Sequence, residues 1–394
     1  MGETQSLKVP GGFESAVEFV KKQPAPGGEG IAAANSLGLG LLSSLAGEAP
    51  DKTVAVSPAG LVTALALIAP GARGATAKAL TAALGNDPGT IGRLLSDQAR
   101  HDADGSSGAV ALFAGAVWAS ARLVLNPDYV ARLQQQSADI RAIDFAGADA
   151  ITTINSWIGE HTRGLVPRAV DHLPADTIAA ITSAVYFKAA WQSAFDPALT
   201  QPGTFEQSPA ARLPVPMMTR EGTFKYCEAA RFQAVCLAFA GDAWEALVVL
   251  DRDGQDAGDE PAGLTFAARK GTLTMPRLAL KTAAELAGPL RENGLADVVS
   301  RGADFSGIGD QAFYLSAIRQ SITLSADESG AEAAAATVGR FKPRLAIREK
   351  PPFTMRVNHP FLFAIRHRLT GLLLFVAKVC DPGTKTQQEK TNGR

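Results

Sequence analysis

Cysteine is scarce in this chain: Cys227, Cys236 and Cys380 are the three present in 394 residues. An odd number at these spacings fits neither a zinc site nor a disulfide framework. Ordinary semi-buried thiols are expected, with Cys227 and Cys236 the pair that could meet across a hairpin. An excess of either charge is also missing, with 38 basic and 39 acidic residues. A net charge of −1 excludes a general affinity for nucleic acid or an anionic membrane surface, because no basic excess exists to drive it. No unbroken apolar run of about 18 residues occurs, so no membrane-spanning helix is expected. The opening residues lack the basic-then-apolar order of a secretory leader, which leaves a cytoplasmic chain or a mature secreted form as expectations.

Catalytic motifs are missing as well. The chain has no G-x-S-x-G, H-E-x-x-H, S-x-x-K with K-T-G, or P-loop pattern. His101, His161, His172, His359 and His367 sit at no ligand spacing from one another, so neither a metal nor a cofactor is expected. "GLGLLS" (38–43) begins like a dinucleotide fingerprint but lacks its third glycine and a preceding strand. Asp327 and Glu328 could be half of an acid–base dyad, but a solvated strand end is the simpler reading. An enzyme is not expected.

What the sequence does contain is apolar content for a sizeable core, at 46%. Residues 1–27 read as a loosely held leader, 28–382 as a single domain and 383–394 as a disordered tail. "GIAAANSLGLGLLSSLAG" (30–47) has helical spacing. "TVAVSPAGLVTALALIAP" begins as a short buried strand at 53–56 and continues as a helix opened by Ser57 and Pro58, an N-cap followed by a proline in the first turn. Residues 108–123 and 176–191 read as buried strands, the second unbroken enough to be central. Residues 151–170 read as helix and turn, 203–280 as strands, and 281–299 as helix again. Strands also flank the turn at Leu369, Thr370 and Gly371. Helices come mostly early and strands mostly late, which indicates an α+β fold with large, mainly antiparallel sheets.

One stretch stands apart: "DESGAEAAAATVGRFKPRLAIR", residues 327–348, has no large apolar side chain before Phe341. Ser329 to Glu332 could be a capping box opening an alanine helix, though about two turns of helix is marginal in water. A flexible loop is a second reading. A third is a segment that can become a strand, with side chains alternating between two faces. Placing Glu332 outside then puts Ala331, Ala333, Ala335, Thr337, Gly339 and Phe341 inside, and leaves Arg340 and Lys342 in water. Small residues suit a strand that slides between existing strands. A dozen new main-chain hydrogen bonds would contribute on the order of 10 kcal/mol, at roughly 1 kcal/mol each, and alanine methyls only a few more.

"ESGAEAAAAT" at 328–337 resembles the hinge of the serpins, whose common form is E-E-G-T-E-A-A-A-A-T. "HPFLFAIRHRLTGLLLFVAKVCDP" (359–382) resembles the closing serpin signature. "SPAGLVTALALIAPGARGATAKAL", "INSWIGEHTRGLV", "SAVYFKAAWQSAFDP", "LTMPRLALK" and "DFSGI" resemble earlier segments in family order. The resemblance implies a serpin fold of about eight to nine helices with an exposed reactive-centre loop over about 328–352. It also implies a suicide-substrate inhibitor. A serine protease attacks the loop and forms an acyl-enzyme, and the freed hinge inserts as a new strand of the main sheet.

By the family spacing Glu328 is seventeenth before the cut, which places the reactive bond at Arg344–Leu345. An arginine there suits the acidic pocket of trypsin-like, Arg-specific proteases. Arg340 and Arg348 are rivals, and Lys342 is disfavoured because Pro343 follows it. The hinge comprises Glu328, Gly330, Ala331, Glu332, Ala333, Ala334, Ala335, Ala336 and Thr337. Glu328 and Arg277 match a family pair bridging the top of the sheet, although an ordinary rim ion pair is the alternative. Trp191 matches the aromatic packed under that opening, with a plain core tryptophan as its alternative.

Under the middle of the sheet Ser57 is retained, while Gly60 replaces a usual Ser, Ser183 a usual Asn and Gln320 a usual His. A monomer whose partner is a trypsin-like protease, with no nucleic acid or membrane partner, is the expectation. The runner-up is a non-inhibitory serpin-fold binding or chaperone-like protein whose loop is cleaved as a plain substrate. High alanine and glycine with few lysines points to a GC-rich bacterial source.

Overall fold

The computed structural model describes residues 11–85, 89, 91–95, 109–135, 139–164, 170–173, 177–252, 264–311, 314–315, 318–329 and 350–383. Two sheets organise them. The larger has nine strands: β1 (Val54–Val56), β5 (Gln201–Ser208), β6 (Ala211–Glu228), β7 (Phe232–Ala238), β8 (Trp244–Asp251), β9 (Ala267–Pro276), β12 (Phe353–Arg356), β13 (Phe361–His367) and β14 (Leu373–Val379). Its order is β1-β14-β13-β8-β7-β6-β9-β12, with β5 on β6, and it is antiparallel except where β12 joins β9. The smaller sheet is built from β2 (Ala109–Ser120), β3 (Asp139–Ile143), β4 (Ala179–Ala189), β10 (Leu278–Glu285) and β11 (Ile318–Ala326). Its order is β10-β11-β4-β2-β3. This sheet is mixed where antiparallel pairing was expected to dominate: β11–β4 and β2–β3 are parallel, β10–β11 and β2–β4 antiparallel.

Burial on both faces explains why residues 176–191 read as one apolar run. Ile181, Val185 and Phe187 of β4 belong to the main core, shared with helix α3 (Pro58–Ile68) and the larger sheet. Ala180, Ala184 and Tyr186 face a second core with Trp118, Ile154 and Trp157, under the helix Ala150–His161. Within that second layer Trp118 Nε1 donates to Thr182 Oγ1 at 2.9 Å.

Three expectations need correction. Residues 11–21, read as part of a loose leader, form helix α1 (Gly11–Lys21), with Ala16, Val17, Phe19 and Val20 buried. Its apolar stripe has a partner: Phe19 lies 4.5 Å from the Phe232 ring. Helix α2 (Glu29–Glu48) is long and apolar enough to cross a membrane, at mean hydropathy 1.3, although no unbroken apolar run marks it. Half of that window is buried, and Leu39, Leu41 and Leu42 lie in the main core. Finally, residues 281–285 belong to β10, and the helix after them is interrupted. Asn293 and Gly294 (φ 85°) leave helical geometry between the short helices Ala287–Leu290 and Ala296–Val299.

None of the three cysteines is in a disulfide, and all three are buried. Cys227 and Cys236 do lie on the paired strands β6 and β7, but out of register, Cys227 opposite Ala234 and Cys236 opposite Lys225.

Candidate functional site: the seam between two parallel strands

Gly330 to Thr337, and Arg344 with Leu345, lie outside the described residues, as does the proposed inward and outward alternation of 331–342. What is described is the ground at both ends of that segment and the sheet beside it. The segment leaves the end of β11, whose neighbour β4 runs parallel from Ile318↔Ile181 to Leu324↔Phe187.

At the top of this seam Glu328 is held by three residues, Arg277, Thr200 and Phe195. Arg277 Nε donates to both carboxylate oxygens, at 2.9 and 2.8 Å, and Arg277 Nη2 lies 2.7 Å from Oε1. Thr200 Oγ1 donates to Oε1 as well. The backbone carbonyl of Glu328 accepts from Phe195 N at 2.8 Å, and that of Ser329 from Trp191 N at 3.0 Å. Glu328 is therefore neither a solvated strand end nor a rim residue, being only 4% exposed. Burial pushes its carboxyl pKa up, but hydrogen bonds from Arg277 and Thr200 outweigh this and hold it below the usual carboxylate range.

Trp191 lies directly beneath the hinge. Its indole Nε1 donates to Asp327 O at 2.7 Å, and its ring stacks on Phe239 with centroids 4.5 Å apart and planes 12° apart. Placed just beyond the end of β4, it joins the last turn of that strand to the first residues of the hinge.

Eight residues earlier on each strand, about 26 Å down the seam at roughly 3.3 Å per residue, Ser183 and Gln320 are register partners. The N-cap of α3 lies beneath them. Ser57 Oγ accepts from Gly60 N at 3.0 Å and donates to Leu374 O on β14. Gln320 answers both backbone groups of Ser57: its Oε1 accepts from Ser57 N at 2.6 Å, and its Nε2 donates to Ser57 O at 3.0 Å. An amide carries a donor and an acceptor at once, so it satisfies both groups without titrating. Gly60 has no room for a side chain. A Cβ there would meet Val185 Cγ2 at 2.7 Å, Ser183 Oγ at 2.8 Å and Ser57 Oγ at 3.0 Å. The predicted residues Ser57, Ser183 and Gln320 thus converge on one buried point, and Arg277, Trp191 and Glu328 on another.

Sequence reasoning missed Thr200 and Phe195. Thr200 is 128 residues from Glu328 and no motif marks it. Phe195 acts here through its backbone N–H, which any residue except proline could supply.

The chain is similar to known proteins along most of its length. The family model described as Serpin (serine protease inhibitor) matches residues 32–382. An uncharacterized serpin-like protein of Thermococcus kodakarensis is 30% identical, over 89% of this chain and 85% of that protein. Iripin-2 of Ixodes ricinus is 28% identical, over 88% of this chain and 91% of its own. Among solved structures, uncleaved ovalbumin superposes with a TM-score of 0.75 at 22% identity, covering 90% of this chain and all of its own. The mouse protein-Z dependent protease inhibitor does so with 0.75 at 23% identity, covering 93% and 99%. These matches come from an archaeon, a tick and vertebrates, and none bears on the bacterial source that the composition suggests. Proteins of this kind generally inhibit serine proteases, although some do not inhibit at all. The chain belongs to the serpin family.

Proposed function

We propose that this protein is a single-use inhibitor of trypsin-like serine proteases, cut at Arg344–Leu345 and trapping the acyl-enzyme as residues 330–344 enter the β4–β11 seam. The observation that carries the reading is the seam itself. Because β4 and β11 are parallel, a segment that continues from the end of β11 and turns back runs antiparallel to both neighbours. Antiparallel pairing is available on each edge at the cost of separating the existing parallel ladder. Length also fits. Residues 330–344, extended at roughly 3.3 Å per residue, span about 50 Å, against about 36 Å for the 11 residues of β4.

The alanine hinge favours inhibition over the non-inhibitory reading, since 330–338 carries no bulky side chain, no proline and no charge except Glu332. The protein acts as a monomer with no cofactor in this reading. The reaction is read on a denaturing gel after mixing with trypsin. The expected result is a complex that survives denaturant, with release of a C-terminal peptide beginning at Leu345. Arg344→Ala should abolish the complex with trypsin. Quantitative cleavage without a complex would assign the protein to the non-inhibitory members instead.

A further inference from the structure

The described chain is anchored on either side of residues 330–349, at Ser329 and at Pro351 with Phe353, and a line of side chains joins the two anchors. At the first anchor the turn from Trp191 to Phe195 holds the hinge carbonyls of Ser329 and Glu328. At the second, β12 lies at the edge of the larger sheet, paired among the described residues with β9. Its Phe353 ring is seated flat on the backbone of Gly271, where a Cβ would meet ring atoms at 2.3 to 2.6 Å. Pro351 O, just ahead of it, accepts from Arg269 Nε at 3.1 Å.

Arg220 on β6 stands between the two. Its guanidinium carbon lies 5.3 Å from the Phe195 ring and 4.4 Å from the Phe224 ring, and Nη1 donates to Ser193 O. Phe195 in turn packs edge-on against Trp191 at 6.2 Å, and Phe224 edge-on against Phe353 at 5.5 Å. The line therefore runs Trp191–Phe195–Arg220–Phe224–Phe353, from the hinge to β12. Burial lowers the Arg220 pKa to about 10, so the side chain stays cationic at neutral pH and keeps its attraction to both rings.

We infer that Arg220 is a positioning residue that ties the two anchors of the 330–349 segment to each other, so that neither loosens alone. A planar guanidinium has two faces and can serve both rings while its edge donates to Ser193 O; an ammonium group on a lysine offers one compact charge and cannot stack. The inference deepens the inhibitory reading, in which the intact segment must be held out of the seam until it is cut. The tie itself, however, lies between residues of the free protein.

The experiment is amide hydrogen exchange with peptide mass spectrometry on the full chain, without protease, well below the melting temperature. The reporters are the Trp191 and Phe195 amides, which donate to the hinge carbonyls, and the amides of 353–357. Arg220→Ala should speed exchange at both places by about tenfold, Arg220→Lys by less, through loss of both cation–π contacts. Ile154→Ala, in the second core under the helix Ala150–His161, controls for general destabilisation and should open neither. Faster exchange at only one anchor would overturn the tie, as would equal opening of both by the Ile154 variant. If Arg220→Ala does not fold, Arg220→Lys decides alone, by the same two peptides. Failure of the trypsin gel would remove the inhibitory reading and leave this result standing on its own.

Discussion

Arg277, at the junction of β9 and β10, grips Glu328 with Nε reaching both carboxylate oxygens at 2.9 and 2.8 Å, one residue before the last described residue ahead of the alanine-rich segment. The carboxylate side chain is 6% exposed and the guanidinium side chain 40%. Truncating the buried partner removes charge-assisted hydrogen bonds from Arg277 and Thr200. Glu328→Ala should therefore lower the stability of the uncut protein by about 2 kcal/mol, read as a urea midpoint.

The same carboxylate gives a pH signature. Its folded-state pKa lies below the ordinary value, so its contribution is present above that ordinary value, about 4.3, and is lost as pH falls through the lower folded one. The stability gap between the parent and Glu328→Gln should be widest near neutrality and should shrink from about pH 5 downward. A gap that stays constant down to pH 3.5 would mean that the Arg277 contact contributes nothing in solution.

Gly60 makes sense of one departure from the family pattern. The space a Cβ would need there is taken by Val185 and by the hydroxyls of Ser183 and Ser57. A serine at 60 and a serine at 183 compete for one volume. Gly60→Ala would gain about 1 kcal/mol of helix propensity, but overpacking costs about 1–3 kcal/mol and wins. Differential scanning calorimetry should show a lower melting temperature for the uncut variant. A melting temperature at or above that of the parent would show that the seam has slack the geometry does not reveal.

Gln320 supports a pH prediction by substitution. In the wild-type chain both Ser57 backbone groups are answered by a group that does not ionise. Gln320→His would place an imidazole at a position that is 2% exposed, where burial disfavours the charged form and depresses its pKa. With the folded pKa below the unfolded value of about 6.5, the unfolded chain takes up the proton first. The variant should lose stability relative to the parent as pH falls from about 7.5 to 5. Parallel stability curves over that range would show that residue 320 is open to solvent.

The two key clusters were legible to different depths. The N-cap at Ser57 is written locally, as Ser-Pro before an apolar helix, and β4 is written as an unbroken apolar run; both can be read with no knowledge of neighbours. Glu328 with Arg277 comes only from the family resemblance, which pairs them across 51 residues of chain, and Ser183 and Gln320 come only from the polar cluster it places under the sheet. Three features were not legible. The parallel register of β4 and β11 depends on a long connection rather than on strand composition. Helix α1 was hidden in a stretch rich in glycine and proline at its borders, although its Ala16, Val17, Phe19 and Val20 stripe was there to be read. Arg220 carries no mark of its own, because nothing in "MMTREGTF" says that Phe195 will stand across from it.

The last prediction concerns the hinge itself, and rests on the alternation that puts Ala335 on the core face of the inserted segment. Both faces of β4 are buried, and the Val185 and Phe187 side is closed by α3 and the larger sheet. A segment entering beside it meets no solvent on that face. An arginine at 335 would have to carry an unpaired charge into that layer, which costs several kcal/mol against a total gain on the order of 10 kcal/mol from new backbone pairing. Insertion then slows relative to hydrolysis of the acyl-enzyme. Ala335→Arg should be cleaved by trypsin at the parental rate yet leave free protease and a nicked protein, with little complex on a denaturing gel. In the alternation that places Glu332 outside, Ala334→Arg, one residue along, shares the face of a residue that is already charged and should damage inhibition less. Inhibition kept by Ala335→Arg and lost in Ala334→Arg would place the alternation one residue out of register, because a strand buries its side chains in strict turn.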